Sequence, residues 1–291
     1  MRRLFIAAAL TAMMLVPSQA LAASHNPTGE FAQFKECPLS RATLFGCVYS
    51  ESNGGFFQVG KKTTPLVNTV ILQGGIEPKV GGEPGEFLFF GAENGDTLSK
   101  TPQPVPGGLL GIEAPAWWPK FLRDLFNETI NNGFTGVQAT VELAAPATSI
   151  KVNTLNILIE KGTALSLPVK IKLSNPFLGS NCYVGSNSSP IVINFTSGET
   201  SPPPPNKPIK GSAGTFEANE AGTLTTLSGG ALVNNSFGAP GAKGCGGFFS
   251  FLIDPFVNSI VGLPSPAGTN AAVLEGKLQT AEAEAVRATE P

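Results

Sequence analysis

Apolar positions along the chain fall into two rhythms. Val137, Ala139, Val141 and Leu143 alternate with Gln138, Thr140 and Glu142, the period-two pattern of a half-buried strand. Val169, Ile171 and Leu173 alternate with Lys170 and Lys172 in the same way, and Leu155, Ile157 and Ile159 predict another strand. Leu66 to Leu72 is aliphatic and β-branched between Pro65 and Gly74-Gly75. It reads as a strand inside the fold. Glu86 to Phe90, Ile191 to Thr196 and Ala271 to Leu278 are further strands. Short strands with wide turns are expected across the glycine-, serine- and threonine-rich stretch 211–244.

The second rhythm is helical. Phe121, Leu122, Leu125, Phe126 and Ile130 recur at spacings of three and four, with Lys120, Arg123, Asp124 and Glu128 between them. Pro119 suits a first helical turn, and Asn131-Asn132-Gly133 a left-handed stop. A helix over 119–131 follows, its apolar stripe expected to pack on a sheet. Phe248 to Ile260 is apolar but carries Asp254, Pro255 and Asn258. One or two helical turns are predicted on either side of Asp254-Pro255, and the interruptions argue against a membrane span.

The two halves resemble each other. Cys47-Val48-Tyr49 matches Cys182-Tyr183-Val184, Pro65 to Val70 matches Pro190 to Phe195, and Gly74 matches Gly198. The helix at Phe121 sits where Phe249 to Ile260 sits. A drifting offset of this kind is what loop insertions in a duplicated unit produce. The expected fold is therefore a β-rich α+β fold of short antiparallel strands with one amphipathic helix per half. Its β-rich units run over 31–148 and 150–280. The alternative is one large β-sandwich with repetitive strand chemistry. Residues 281–291, rich in alanine and glutamate, read as a flexible tail.

Composition changes the picture in three places. Arg2 and Arg3, the apolar run Leu4 to Val16 and the small residues Ala20-Leu21-Ala22 predict a signal peptide over 1–23, and hence a secreted or cell-surface protein. Removing those two arginines leaves 17 basic and 21 acidic residues. A weakly acidic chain without a basic cluster points away from nucleic acid and gives no pull toward anionic lipid. Four cysteines in an exported chain predict two disulfides, and the spacing favours Cys37–Cys47 and Cys182–Cys245.

Candidate chemistry is sparse. The one histidine, His25, lies in a polar leader, so a Ser-His-Asp arrangement has no base in the folded body. There is no CxxC pair, no G-x-S-x-G elbow and no complete phosphate loop, so neither metal nor cofactor is expected. Glu77, Glu83, Glu86, Glu93 and Asp96 could supply two carboxylates for glycosidic hydrolysis, or stand as exposed loop residues. Trp117 and Trp118, with Phe121 and Phe249, are the candidate ligand contacts; the same residues could simply staple helices to a core. The sequence reads foremost as a non-enzymatic structural or surface-interaction protein whose partners are cell-surface or coat proteins. The alternatives are a carrier of an apolar or carbohydrate ligand, and a carboxylate hydrolase.

Overall fold

A computed structural model describes residues 25–110, 114–131 and 135–291. The segment 1–23, predicted as a signal peptide, lies outside the described residues. The fold is β-rich α+β, with its antiparallel strands joined in one large sheet. The strands are β1 (Gly46–Val59), β2 (Lys62–Pro65), β3 (Val70–Pro78), β4 (Glu86–Gly91), β5 (Gln103–Val105), β6 (Val137–Leu143) and β7 (Lys151–Asn153). They continue as β8 (Leu165–Ser174), β9 (Tyr183–Val184), β10 (Ile191–Phe195), β11 (Thr215–Ala218), β12 (Leu224–Asn234), β13 (Ala242–Lys243) and β14 (Ala271–Glu282). The helices are α1 (Lys120–Asn131), α2 (Thr154–Leu158), α3 (Ser250–Val261) and α4 (Ala283–Arg287).

The sheet returns on itself. Its order runs β12-β14-β1-β3-β4-β7-β8, and β10 pairs with the other edge of β8. Thr196, just past β10, exchanges both backbone hydrogen bonds with Val233 of β12. This ring encloses one compartment. A second lies further along the same strands, where β1 pairs with β2 and β8 with β6 and β9. Two strands run through both compartments. The inward row of β8 is Leu165, Leu167, Val169, Ile171 and Leu173; that of β1 is Val48, Ser50, Ser52, Phe57 and Val59. Period-two alternation thus fills a barrel interior instead of facing a helix.

β1 runs through a segment with the residues of a turn. Asn53-Gly54-Gly55 reads as a turn in sequence, yet the strand continues through it, shifting register against β14 between Ser52 and Gly54. Gly55 takes φ +95°, and a Cβ there would sit 2.1 Å from the Val273 carbonyl oxygen. Glycine makes this bulge possible. The predicted strand Leu66 to Leu72 also splits. Gln103 Oε1 accepts from the amides of Val67 and Asn68, at 3.0 Å each, so the middle of that stretch is a loop between β2 and β3. The predicted strand at Leu155 to Ile159 is helical, because Asn153 Oδ1 caps Asn156 N at 3.0 Å and starts α2.

Both halves, 31–148 and 150–280, contribute to the single sheet. The cysteines matched between halves lie at opposite ends of the barrel: Cys47 follows the first residue of β1, and the Cys182 carbonyl accepts from Leu173 near the end of β8. The helices matched between halves, α1 and α3, leave at one end. Both disulfides form as the spacing predicts, Cys37–Cys47 and Cys182–Cys245. The second closes 63 residues, on the order of 4 kcal/mol in the chain-entropy account.

The C-terminal residues, expected to be loose, are docked. Ala283 and Val286 are fully buried with Phe31 and Phe34 in a cluster separate from the barrel interior. Arg287 donates to the carbonyls of Leu39 and Arg41. Fully burying side chains such as Phe34 contributes about 1.5–3 kcal/mol each, which is what a tail needs to stay down.

Gly55→Ala is expected to cost more than about 3 kcal/mol, from the left-handed penalty plus disrupted ladder bonds. Gly81→Ala, at φ +72° with nothing within 4 Å of the added carbon, is expected to cost only about 1–2 kcal/mol. Urea denaturation of both variants measures the difference; equal losses would remove the steric explanation of the bulge.

Candidate functional site

Two apolar cavities occupy the barrel. The first, of ≈ 100 Å³, is walled by Leu72, Phe89, Leu167, Phe195, Leu232 and Leu278. Ser50 and Ser52 of β1 lie on its wall, and Glu51, Ser212 and Lys277 also border it. The second, of ≈ 90 Å³, lies between Val105, Val137, Ile171, Leu173 and Val184. Phe57 and Val141 line both. An apolar cavity of about 150 Å³ is known to stay dry and take up benzene, so spaces of this size suit small or slender apolar guests.

One side of the second cavity is α3. Val257, Ile260 and Val261 face it. The helix is held from several directions. Asn258 exchanges hydrogen bonds with both backbone groups of Ala242, at 2.7 and 3.1 Å. Asp254 accepts from the amides of Gly244 and Cys245, at 3.1 and 2.7 Å. Lys61 N donates to Val261 O at 2.7 Å, and fully buried Asn270 accepts from Gly60 N at 2.8 Å. The expected break at Asp254-Pro255 does not occur: Pro255 sits inside a continuous helix. Its missing amide removes one intrahelical bond, while the Asp254 carboxylate anchors that turn to the loop ahead of the helix.

The outward side of α3 is uncovered. Phe248, Phe249, Phe251, Leu252 and Phe256 are all exposed, Phe248 to 89%. α1 sits in the connection between β5 and β6, at the same barrel end. Its stripe, expected to pack on a sheet, is instead exposed at Phe121, Leu122 and Leu125. The reason is geometric: a sheet that closes on itself seals its own apolar face and leaves nothing for the helix to cover. Trp117 is 82% exposed. Trp118 is half-buried, edge-on to Trp117 at 6.0 Å and to Phe126 at 5.6 Å. The four ligand-contact candidates therefore divide between the two helical segments at one end, and none of them lines a cavity.

The chain matches no family model, no curated protein and no solved structure. Its chemistry is therefore read from its own geometry. Glu77 accepts from Arg41 and from Thr43 at 2.6 Å; Glu86 accepts from Lys79 at 2.6 Å and from the Glu83 amide at 3.0 Å. The Arg41 hydrogen bond, then that of Thr43, holds the Glu77 carboxyl below its ordinary value. Lys79, then the Glu83 amide, does the same for Glu86. Glu93 accepts from Ser40. A glycosidase acid needs a carboxyl pushed upward, and these two are pushed the other way. Among the described residues no three His, Cys, Asp or Glu side chains form a group that could hold a metal.

The inward hydroxyls and the cavity walls are what sequence reading passes over. A Val or Leu facing a cavity has the same alternation as one facing a packed core. The one available signal is Ser50 and Ser52, polar residues in the inward register of Val48.

A carboxyl lowered in the folded state adds stability above its unfolded pKa and loses it as pH falls through the folded value. Glu77→Gln is therefore expected to lower stability at pH 7, by less than about 1 kcal/mol as for other exposed pairs. At a pH where both states are protonated the variant is expected to match the wild type. Urea midpoints at neutral and acidic pH measure this; an equal deficit at both would exclude the Arg41–Glu77 pair as its source.

Proposed function

We propose that this is an exported, non-enzymatic binding protein that holds a slender apolar molecule with one hydrogen-bonding group inside its barrel. The supporting observation is the pair of cavities, apolar almost throughout, with Ser50 and Ser52 on one wall. Each is smaller than the several hundred cubic ångströms of a drug-sized pocket. A short alkyl chain or single small ring fits that size, and a sugar does not match such walls. The hydroxyls would orient the ligand's polar end, since a buried polar group without a partner costs free energy. The second reading is a protein that works through surface contact with a coat or cell surface, and the uncovered faces of α1 and α3 favour it. The two readings are compatible, because the cavities and the exposed face use different residues.

Titration calorimetry with a series of 1-alkanols and matched alkanes tests the binding proposal. Saturable binding is expected, with each alkanol tighter than its alkane by about fivefold, the worth of one hydrogen bond. Leu167→Phe, which fills the first cavity where Ser50 and Ser52 lie, is expected to abolish the alcohol-preferring binding at a stability cost of about 1–3 kcal/mol. Ser52→Ala is expected to weaken the preference for the alcohol. Absence of saturable heat across the series, or undiminished binding by Leu167→Phe, would refute it.

A further inference from the structure

Large apolar side chains are exposed at both barrel ends, with Phe45, Val80, Leu155, Leu158 and Ile159 at the far one, but the aromatic ones gather mainly around α1 and α3. Phe248, Phe251 and Phe256 of the α3 segment and Trp117, Phe121 and Leu125 of the α1 segment are each 48% exposed or more. Monomeric proteins seldom leave such a group in water without a use. Three features decide what covers it.

The first is the absence of outward charge on α3. From Gly244 to Gly262 the one ionisable side chain is Asp254, and its carboxylate is turned inward onto the Gly244 and Cys245 amides. A protein interface usually surrounds its apolar centre with a polar rim; this helix has none of its own. The second is the placement of cations. Exposed Lys243 precedes the segment, and Lys61 lies along Gly262 at its end. Lys120 and Arg123 lie on α1. The acids there are Asp124, held by Lys120 at 2.5 Å, and Glu128. The far end of the barrel is the more acidic, with Glu30, Glu36, Glu77, Glu282, Glu284 and Glu290 set against Lys35, Arg41, Lys79 and Arg287. The chain's acidic surplus therefore does not describe the end that carries α1 and α3. The third is residue type: phenylalanine and leucine on the outer face, tryptophan at its edge and long basic side chains flanking it are the make-up of an interfacial helix.

We infer that this end docks on an anionic lipid bilayer, with the outer face of α3 and the start of α1 seated at the headgroup boundary. Lys61 and Lys243 reach lipid phosphates while their stems lie along the apolar face. The helices lie in the interface and do not cross it; among the described residues no helix is long and apolar enough to span a membrane. The docking stands independently of what the cavities hold, and it supplies a physical role for a helical stripe that the barrel does not bury.

Vesicle flotation with the full chain tests this, using phosphatidylcholine with and without phosphatidylglycerol. The protein is expected to float with the phosphatidylglycerol vesicles, with a blue shift of emission from Trp117 and Trp118, the two tryptophans of the chain. Phe248→Ser with Phe251→Ser is expected to reduce the bound fraction at least about tenfold, since two large apolar side chains would no longer be buried in the bilayer. Lys61→Glu with Lys243→Glu is expected to remove the dependence on phosphatidylglycerol and on salt. Phe216→Ser, at an exposed phenylalanine of β11, is expected to float like the wild type and controls for general loss of surface hydrophobicity. Three results would overturn the inference: no flotation with either vesicle, flotation unchanged in the double phenylalanine variant, or a dimer in sizing experiments that this variant makes monomeric while the wild type does not float. The last would assign the face to a second copy of the chain.

Discussion

Closure of the sheet is the constraint on which the rest of this structure depends. β1 and β14 pair from Gly46↔Glu282 to Gln58↔Ala271, and the Thr196–Val233 exchange joins β10 to β12. A sheet with free edges must cover its apolar face with something else and protect its unpaired backbone groups. Here the ring covers the apolar face, and the short strands β5 and β11 remain at the ends of the sheet. α1 and the outer side of α3 are thereby left facing water, while Val257 of α3 still packs into the barrel.

Closure also sets what the interior can be. A ring of many strands is wider than its side chains can fill, and the surplus space collects as cavities. The residues around them are mostly apolar, so the space costs packing contacts without exposing unpaired polar groups. The second cavity and the uncovered face are opposite sides of one helix, α3. A change in the seating of that helix would be felt on both sides. The Cys182–Cys245 bridge, the Asp254 carboxylate and the Asn258–Ala242 exchange all act to keep it in place.

The local elements were largely legible. The alternation in Val137 to Leu143 and in Val169 to Leu173 marks β6 and β8, and the Phe121 stripe marks α1 within a residue of its observed start. Cysteine spacing indicated both bridges. Three things were hidden. Asn53-Gly54-Gly55 has turn chemistry, and only the pairing with β14 shows that it is a bulge. Leu155, Ile157 and Ile159 have a strand's alternation, overridden by a single asparagine cap. The cavities left only Ser50 and Ser52 as a trace, because an apolar wall residue and a core residue obey the same pattern; only the long-range order of the strands separates them. The candidate contacts Trp117, Trp118, Phe121 and Phe249 were recognisable as unusual, but their distance from the barrel interior was not.

The β1–β14 ladder has a consequence for how the polypeptide reaches its final state. Residue 46 must wait for residue 282, so the longest pairing has nearly the highest contact order the chain permits. Until β14 is available, β1 has β2 and β3 on one side and a bare edge on the other. Folding is therefore a late, chain-length event in place of a stepwise one during synthesis. Closure of the barrel thus depends on the last strand of the chain as much as on the first.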